Sequence, residues 1–256
     1  MAELQALIFD VDGTLADTER DGHRVAFNKA FADAGLDWDW SVARYGKLLR
    51  VTGGKERIRQ YLSEDHPEAL EEPGIDARIR ELHAAKTRHY VAMLESGAIP
   101  LRPGVRRLLD EAEAEGLRLA IATTTTPENV TALLEATLGS AGPYRFEVIS
   151  AGDVVPAKKP APDIFTHALE AMNLPASACL ALEDSDNGVR SACGAGLEVV
   201  VTTNDYTREQ DFEGALAVLD GFGEPDAPAR VLAGPALPGP AVDVATLRSW
   251  HASAQS

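Results

Sequence analysis

The chain has 256 residues, 45% of them hydrophobic and 25% charged, the composition of a globular protein with a sizeable core. A net charge of -16 argues against general nucleic-acid binding, which needs basic side chains against the phosphates. No apolar run approaches the roughly 20 residues of a membrane helix, so no membrane partner is expected. Cys179 and Cys193 form neither a metal spacing nor a disulfide framework, and the opening MAELQALIFD lacks the basic flank and apolar core of a secretory signal. A monomeric cytoplasmic protein is the expectation.

Leu7, Ile8 and Phe9 form a short buried strand that stops at Asp10. Asp12 and the turn-permitting Gly13 follow. Alone, Asp10-Val11-Asp12-Gly13-Thr14 reads equally as an Asp-Gly hairpin turn or as two carboxylates that need a cation or a shared proton between them. A helix is expected over 19–34, with Val25, Ala26, Ala30 and Ala34 on its apolar face and Gly35 ending it. No strand pattern follows before 97. Helical stretches at 40–49, 55–62 and 75–94, broken at Gly53-Gly54, Pro67 and Pro73-Gly74, read as a helical insert.

From 100 onward the pattern alternates. Pro103 opens a helix to 115 that Gly116 stops, and a strand over 117–122 ends in Thr123. Thr126 caps and Pro127 begins the next helix. A strand at 146–150, a helix at 160–172 and a strand at 179–182 ending in Glu183-Asp184 come next. A helix through 191, a strand at 198–202 and a sixth at 215–219 complete the series. The Gly-, Pro- and Ala-rich tail from Gly221, with a last helix at 242–251, is expected to wrap the surface without catalytic content. Alternating strands and helices imply an α/β fold with a parallel sheet, whose ligands sit at the carboxyl ends of the strands. Asp10, Thr123 and Asp184 all fall there.

Four signals stand in order: Asp10-Val11-Asp12-Gly13-Thr14, Thr123, Lys159 in Lys-Lys-Pro-Ala-Pro-Asp, and Glu183-Asp184-Ser185. Together they resemble the four motifs of the haloacid dehalogenase superfamily of phosphohydrolases, across residues 4–205. The resemblance implies a Rossmann-like three-layer α/β/α core over 1–18 and 98–256, with a helical cap over 19–97 that selects the substrate and closes over the site. It implies Asp10 as the nucleophile that forms an aspartyl-phosphate, and Asp12 as the acid/base toward leaving oxygen and water. Mg²⁺ would be held by Asp10, the Asp12 main-chain carbonyl and Asp184, with Glu183 beside it. Thr123 would hold phosphoryl oxygens, with Thr124 beside it, and Lys159 would offset their charge. Blander readings differ in weight. Lys158 reads as solvated, Thr125 and Thr126 as a turn and cap, and Glu183-Asp184-Ser185 alone passes equally as a helix cap. The Asn129-Val130-Thr131 sequon reads as chance.

The insert is locally basic: Arg44, Lys47, Arg50, Lys55, Arg57 and Arg59 face only Glu56, and Arg78, Arg80, Lys86 and Arg88 follow. A solvated basic face is the usual reading. Gly53-Gly54-Lys55 at a helix start, however, suits a phosphate, although the P-loop spacing is absent. The stretches Asp17-Thr18-Glu19, His23, Thr52–Arg57, Ala122–Thr126 and Leu182–Gly188 resemble the CbbY group, related to β-phosphoglucomutase and associated with the Calvin–Benson–Bassham cycle. That resemblance implies hydrolysis of xylulose 1,5-bisphosphate, a Rubisco inhibitor, to xylulose 5-phosphate. It implies Glu19 on sugar hydroxyls, Thr52, Gly53, Gly54, Lys55 and Lys86 on the distal phosphate, and His23 as a substrate contact. The alternatives are a phosphomutase, a broad sugar-phosphate phosphatase and a non-catalytic binder that keeps the fold. Intact Asp10, Asp12, Lys159 and Asp184 argue against the last.

Overall fold

The computed structural model describes residues 3–255, so Met1, Ala2 and Ser256 of the expected core segments lie outside the described residues. Among the described residues seven strands form one sheet: β1 Ala6–Phe9, β2 Arg118–Thr123, β3 Val148–Ala151, β4 Cys179–Glu183, β5 Glu198–Thr202, β6 Ala217–Leu219 and β7 Val231–Ala233. Their order is β3-β2-β1-β4-β5-β6-β7, which puts β1 in the middle. Every pairing is parallel except the antiparallel β6–β7 edge.

Nine α-helices accompany the sheet among the described residues: α1 Arg24–Asp33, α2 Val42–Leu48, α3 Gly54–Asp65, α4 Ile75–Glu95, α5 Val105–Ala114, α6 Pro127–Leu138, α7 Asp163–Met172, α8 Asp186–Gly194 and α9 Val244–Ala254. Side chains alternate across each strand, so the sheet has two apolar faces. Leu7, Phe9, Leu119 and Leu182 pack with α5, α6 and α9 on one face. Ala6, Ile8, Ala120 and Ala181 pack with α7 and α8 on the other. This is the expected three-layer α/β/α arrangement. None of the described helices is long and apolar enough to cross a membrane.

Helices α1–α4 enclose a separate apolar cluster built on Phe27, Phe31, Trp40, Tyr45, Ile58 and Leu82. It corrects the expected apolar face of α1. Ala26, Phe27, Ala30 and Phe31 are buried, whereas Val25 is half-buried and Ala34 exposed. The two phenylalanines remove far more apolar area from water than alanines do, and they turn the helix toward themselves. A π-helical turn, Glu19–His23, precedes α1 and extends the helix backward to the sheet.

Other boundaries shift for local reasons. Helix α5 starts at Val105 rather than at Pro103, because Gly104 turns the chain left-handed at φ 83°. Residues 159–162 form a turn, and α7 begins only at Asp163. The tail does more than wrap the surface. It supplies β7 and α9, whose Leu247 and Trp250 complete the core under α5.

Candidate active site

The central strands bring the expected residues to one edge of the sheet. Asp10 continues the β1 ladder through its N–H, which donates to Leu182 O at 2.9 Å. Gly13 turns the chain at φ +94°, and a Cβ there would collide with the Asp184 carboxylate. At the end of β4, Glu183 is fully buried and receives the main-chain N–H of Asp184 at 3.0 Å. Ser185 caps α8 by accepting from Gly188 N at 3.1 Å. A Cβ on Gly188 would overlap the Glu183 carboxyl, so the helix start is shaped around that side chain.

Lys159 reaches this edge from the turn before α7. Its Nζ donates to Asp10 Oδ1 at 2.7 Å, Glu183 Oε1 at 2.6 Å and Ala122 O at 2.8 Å. Burial works against its charge, but Asp10 and Glu183 outweigh burial and hold the ammonium above its ordinary value. Asp10, Glu183 and Asp184 each offer a carboxylate oxygen within 4.8 Å of the others. Burial pushes Asp10 up to about 8, with Lys159 opposing and Glu183 and Asp12 adding to the rise. Burial, then Glu183 and Asp10, raise Asp184 well above the carboxylate range. Three buried acids around one ammonium are short of positive charge, and their all-oxygen donor set fits a hard divalent cation such as Mg²⁺.

Asp12 sits beside this cluster with different partners. Thr18 Oγ1 donates to its Oδ1 at 2.6 Å, and His23 Nε2 lies 2.8 Å from the same oxygen. Lys86 Nζ donates to His23 Nδ1 at 2.8 Å, which leaves the proton on Nε2, facing Asp12. Burial would raise the Asp12 carboxyl, but His23, Thr18 and Lys86 outweigh it and hold Asp12 ionised. His23, expected as a substrate contact, is therefore placed against Asp12. Only 3% of it is exposed, and its ring lies 4.0 Å from that of Tyr90.

Thr123 is buried at the end of β2, where its Oγ1 accepts from Thr125 N at 3.3 Å. Thr126 caps α6 as expected, accepting from Asn129 N at 3.4 Å. Glu19 accepts from Tyr45 Oη at 2.5 Å, and Arg57 stands 3.7 Å from the same carboxylate. Two cavities meet here. A cleft of about 90 Å³ contains Asp10, Thr123, Lys159 and Asp184, and a chamber of about 500 Å³ opens beside it. Asp12, Glu19, Arg57 and Thr124 line both.

Gly53, Gly54, Lys55 and Lys86 line the chamber, whereas Thr52 faces the smaller cleft and accepts from Asn187 Nδ2 at 3.1 Å. The basic band is only partly inward. Arg44 pairs with Glu64 and Asp65, Arg59 with Asp76 and Arg78 with Glu72, all outside the chamber. Lys158 is not solvated: it is half-buried in the chamber wall, 2.8 Å from Asp153. Arg57, His83, Lys158 and Asn204 were not among the expected site residues. Arg57 lies one helical turn from Gly53, and Asn204 lies just past the end of β5; both spacings pointed here. Asn204 Nδ2 donates to Asp184 Oδ2 at 2.7 Å. His83, one turn before Lys86 on α4, is half-buried and held neutral, pushed down to about 3 by burial and then by Lys86 and Lys55.

A parallel sheet whose central strands end in this acid–lysine cluster defines a class of hydrolase. A model of the haloacid dehalogenase-like hydrolases matches residues 4–196, and the chain belongs to that family. It is 49% identical to CbbY of Cupriavidus necator over 97% of both chains, and 55% identical to CbbY of Rhodobacter capsulatus over 83% of this chain and 91% of that one. The crystal structure of CbbY from Rhodobacter sphaeroides in complex with phosphate is similar at a TM-score of 0.79 and 47% identity, covering 85% of this chain and 94% of that one. A mutant of that protein in complex with xylulose 1,5-bisphosphate is similar at a TM-score of 0.78 and 46% identity, covering 87% and 96%. Within the family the chain falls in the CbbY group, and it is a phosphatase.

Proposed function

We propose that this phosphatase is Mg²⁺-dependent and converts xylulose 1,5-bisphosphate to xylulose 5-phosphate through a phosphorylated Asp10, with residues 19–97 acting as a cap over the site. The observation that carries this reading is the pair of joined cavities. The 90 Å³ cleft holds the nucleophile Asp10 with Asp12 and Asp184, and Lys55, Arg57 and Lys86 stand in the wall of the 500 Å³ chamber beside it. A substrate with one phosphate in each suits the basic chamber wall directly and the acidic cleft once Mg²⁺ is bound there. The similarity to a CbbY form bound to xylulose 1,5-bisphosphate supports the choice of sugar.

Asp10, Glu183 and Asp184 would hold the Mg²⁺, joined by the Asp12 carbonyl, and the ion supplies charge neutralisation between nucleophile and phosphate. An Asp10 oxygen attacks phosphorus while the bond from phosphorus to the sugar oxygen breaks. Asp12 gives that oxygen its proton. In the free site His23 and Thr18 keep Asp12 ionised. An arriving phosphate adds negative charge beside it and raises its affinity for a proton, and Asp12 takes up from solvent the proton that it gives to the sugar oxygen. Asp12 then takes a proton from the water that attacks phosphorus, and the Asp10–phosphorus bond breaks to release phosphate. Lys159 and Thr123 hold the phosphoryl oxygens throughout.

Phosphate release from xylulose 1,5-bisphosphate, ribulose 1,5-bisphosphate, fructose 1,6-bisphosphate and β-glucose 1-phosphate tests the reading. The highest kcat/KM is expected on xylulose 1,5-bisphosphate. Equal values on mono- and bisphosphates would overturn it, and conversion of β-glucose 1-phosphate to glucose 6-phosphate without phosphate release would identify a mutase.

A further inference from the structure

Asp153, in the loop after β3, joins the two halves of the chamber wall. One carboxylate oxygen lies 2.5 Å from Lys55 Nζ, at the start of α3, and the other 2.8 Å from Lys158 Nζ. Lys55 belongs to the helical insert, whereas Asp153 and Lys158 belong to the sheet side. Hydrogen bonds from Lys158 and Lys55 outweigh burial and hold the Asp153 carboxyl down at about 2.

The position of Lys158 is built rather than incidental. Its Cδ lies 3.0 Å from where a Cβ on Gly53 would stand, so its stem runs against bare backbone at the N-terminus of α3. A Cβ at 53 would meet the Glu56 carboxylate first and then this stem, and Gly53 also holds φ +100° there. Its neighbour Lys159 turns the other way, into the acid cluster. Lys55, Lys158 and Asp153 all line the chamber.

We propose that Lys158 is a specificity-determining residue for the distal phosphate, and that Asp153 is a resident carboxylate which that phosphate displaces from between Lys55 and Lys158. This rests on the reading of the protein as a bisphosphate phosphatase. The two ammonium groups that now flank one carboxylate then close on one phosphate, so the bound substrate itself ties the insert to the sheet side. A carboxylate brings one charge and two oxygens, a phosphate nearly two charges and three free oxygens, and the exchange favours the phosphate. A monophosphate whose single phosphate occupies the cleft leaves the Lys55–Asp153–Lys158 bridge in place.

The test is steady-state kinetics of the full chain with Mg²⁺ on xylulose 1,5-bisphosphate and on xylulose 1-phosphate, for wild type, Lys158→Met, Lys158→Arg and Asp153→Asn. Losing one charged contact should raise the KM of Lys158→Met for the bisphosphate about tenfold more than its KM for the monophosphate. Lys158→Arg should restore most of the difference. Asp153→Asn, which removes the competing charge, should lower the bisphosphate KM. A wild type that prefers the bisphosphate together with a Lys158→Met that keeps that preference overturns the inference alone. A wild type with no preference overturns both the inference and the reading beneath it. Thermal melts of each variant separate a folding defect from a binding one, and a misfolded Lys158→Met leaves the decision to Asp153→Asn, whose unchanged or higher bisphosphate KM overturns the inference.

Discussion

His23 Nε2 stands 2.8 Å from Asp12 Oδ1, with Lys86 on the other ring nitrogen. The imidazole thus fixes the direction of the carboxylate expected to move protons, while its own tautomer is fixed by a cation from α4. Replacing His23 by alanine leaves Thr18 alone holding that oxygen and loosens Asp12. Because positioned proton transfer contributes at least about 100-fold, His23→Ala should lower kcat by roughly that factor. The KM should change much less, and comparing the two parameters on one substrate checks it.

Lys86 sets an alkaline limit. Burial lowers its pKa to about 8, with Asp12 and Glu19 opposing. The ammonium is charged below that value and lost above it, so with saturating Mg²⁺, whose charge keeps Asp10 ionised, kcat/KM for a bisphosphate should fall as pH rises through about 8. Since kcat/KM reports the free enzyme, the limb belongs to the empty site. Arginine stays charged throughout this range, and Lys86→Arg should flatten the limb in the same pH series.

Gly188 offers a test of how the acid cluster is held. A Cβ there would overlap the Glu183 carboxyl, which Lys159 and two main-chain N–H groups fix in place. Overpacking of this kind costs about 1–3 kcal/mol. Gly188→Ala should lower Tm accordingly and reduce kcat as Glu183 shifts; an unchanged Tm would contradict the packing.

Much of this site was legible in the chain. Asp10, Thr123 and Glu183-Asp184 each end a short run of apolar residues, and a buried parallel strand ends where its run meets a polar residue. Lys158 and Lys159 show the limit. They are adjacent and chemically identical, and what separates them is tertiary: Lys159 meets Asp10 and Glu183, whereas Lys158 meets Asp153 and bare Gly53. The face of α1 was misjudged for a related reason. Phe27 and Phe31 dominate only once Trp40 comes back to pack 4.7 Å and 4.9 Å from them, a contact that no local period encodes. The three-residue β7 was too short to signal itself and is fixed by pairing with β6.

The proposed metal dependence rests on the three carboxylates. A chelator should abolish phosphate release, and added Mg²⁺ should restore it. Asp184→Asn removes one donor charge and should raise the Mg²⁺ concentration for half-maximal rate by more than about tenfold, the range in which even outer partners of a metal act. A metal titration of wild type and variant reads this directly.

The central claim is hydrolysis of a sugar bisphosphate at Asp10, and ³¹P NMR of xylulose 1,5-bisphosphate incubated with the protein and Mg²⁺ tests it most directly. The account predicts one equivalent of inorganic phosphate and one of xylulose 5-phosphate, with neither formed by Asp10→Asn. Loss of the 5-phosphate instead, a rearranged phosphate without release, or turnover that survives Asp10→Asn would contradict it.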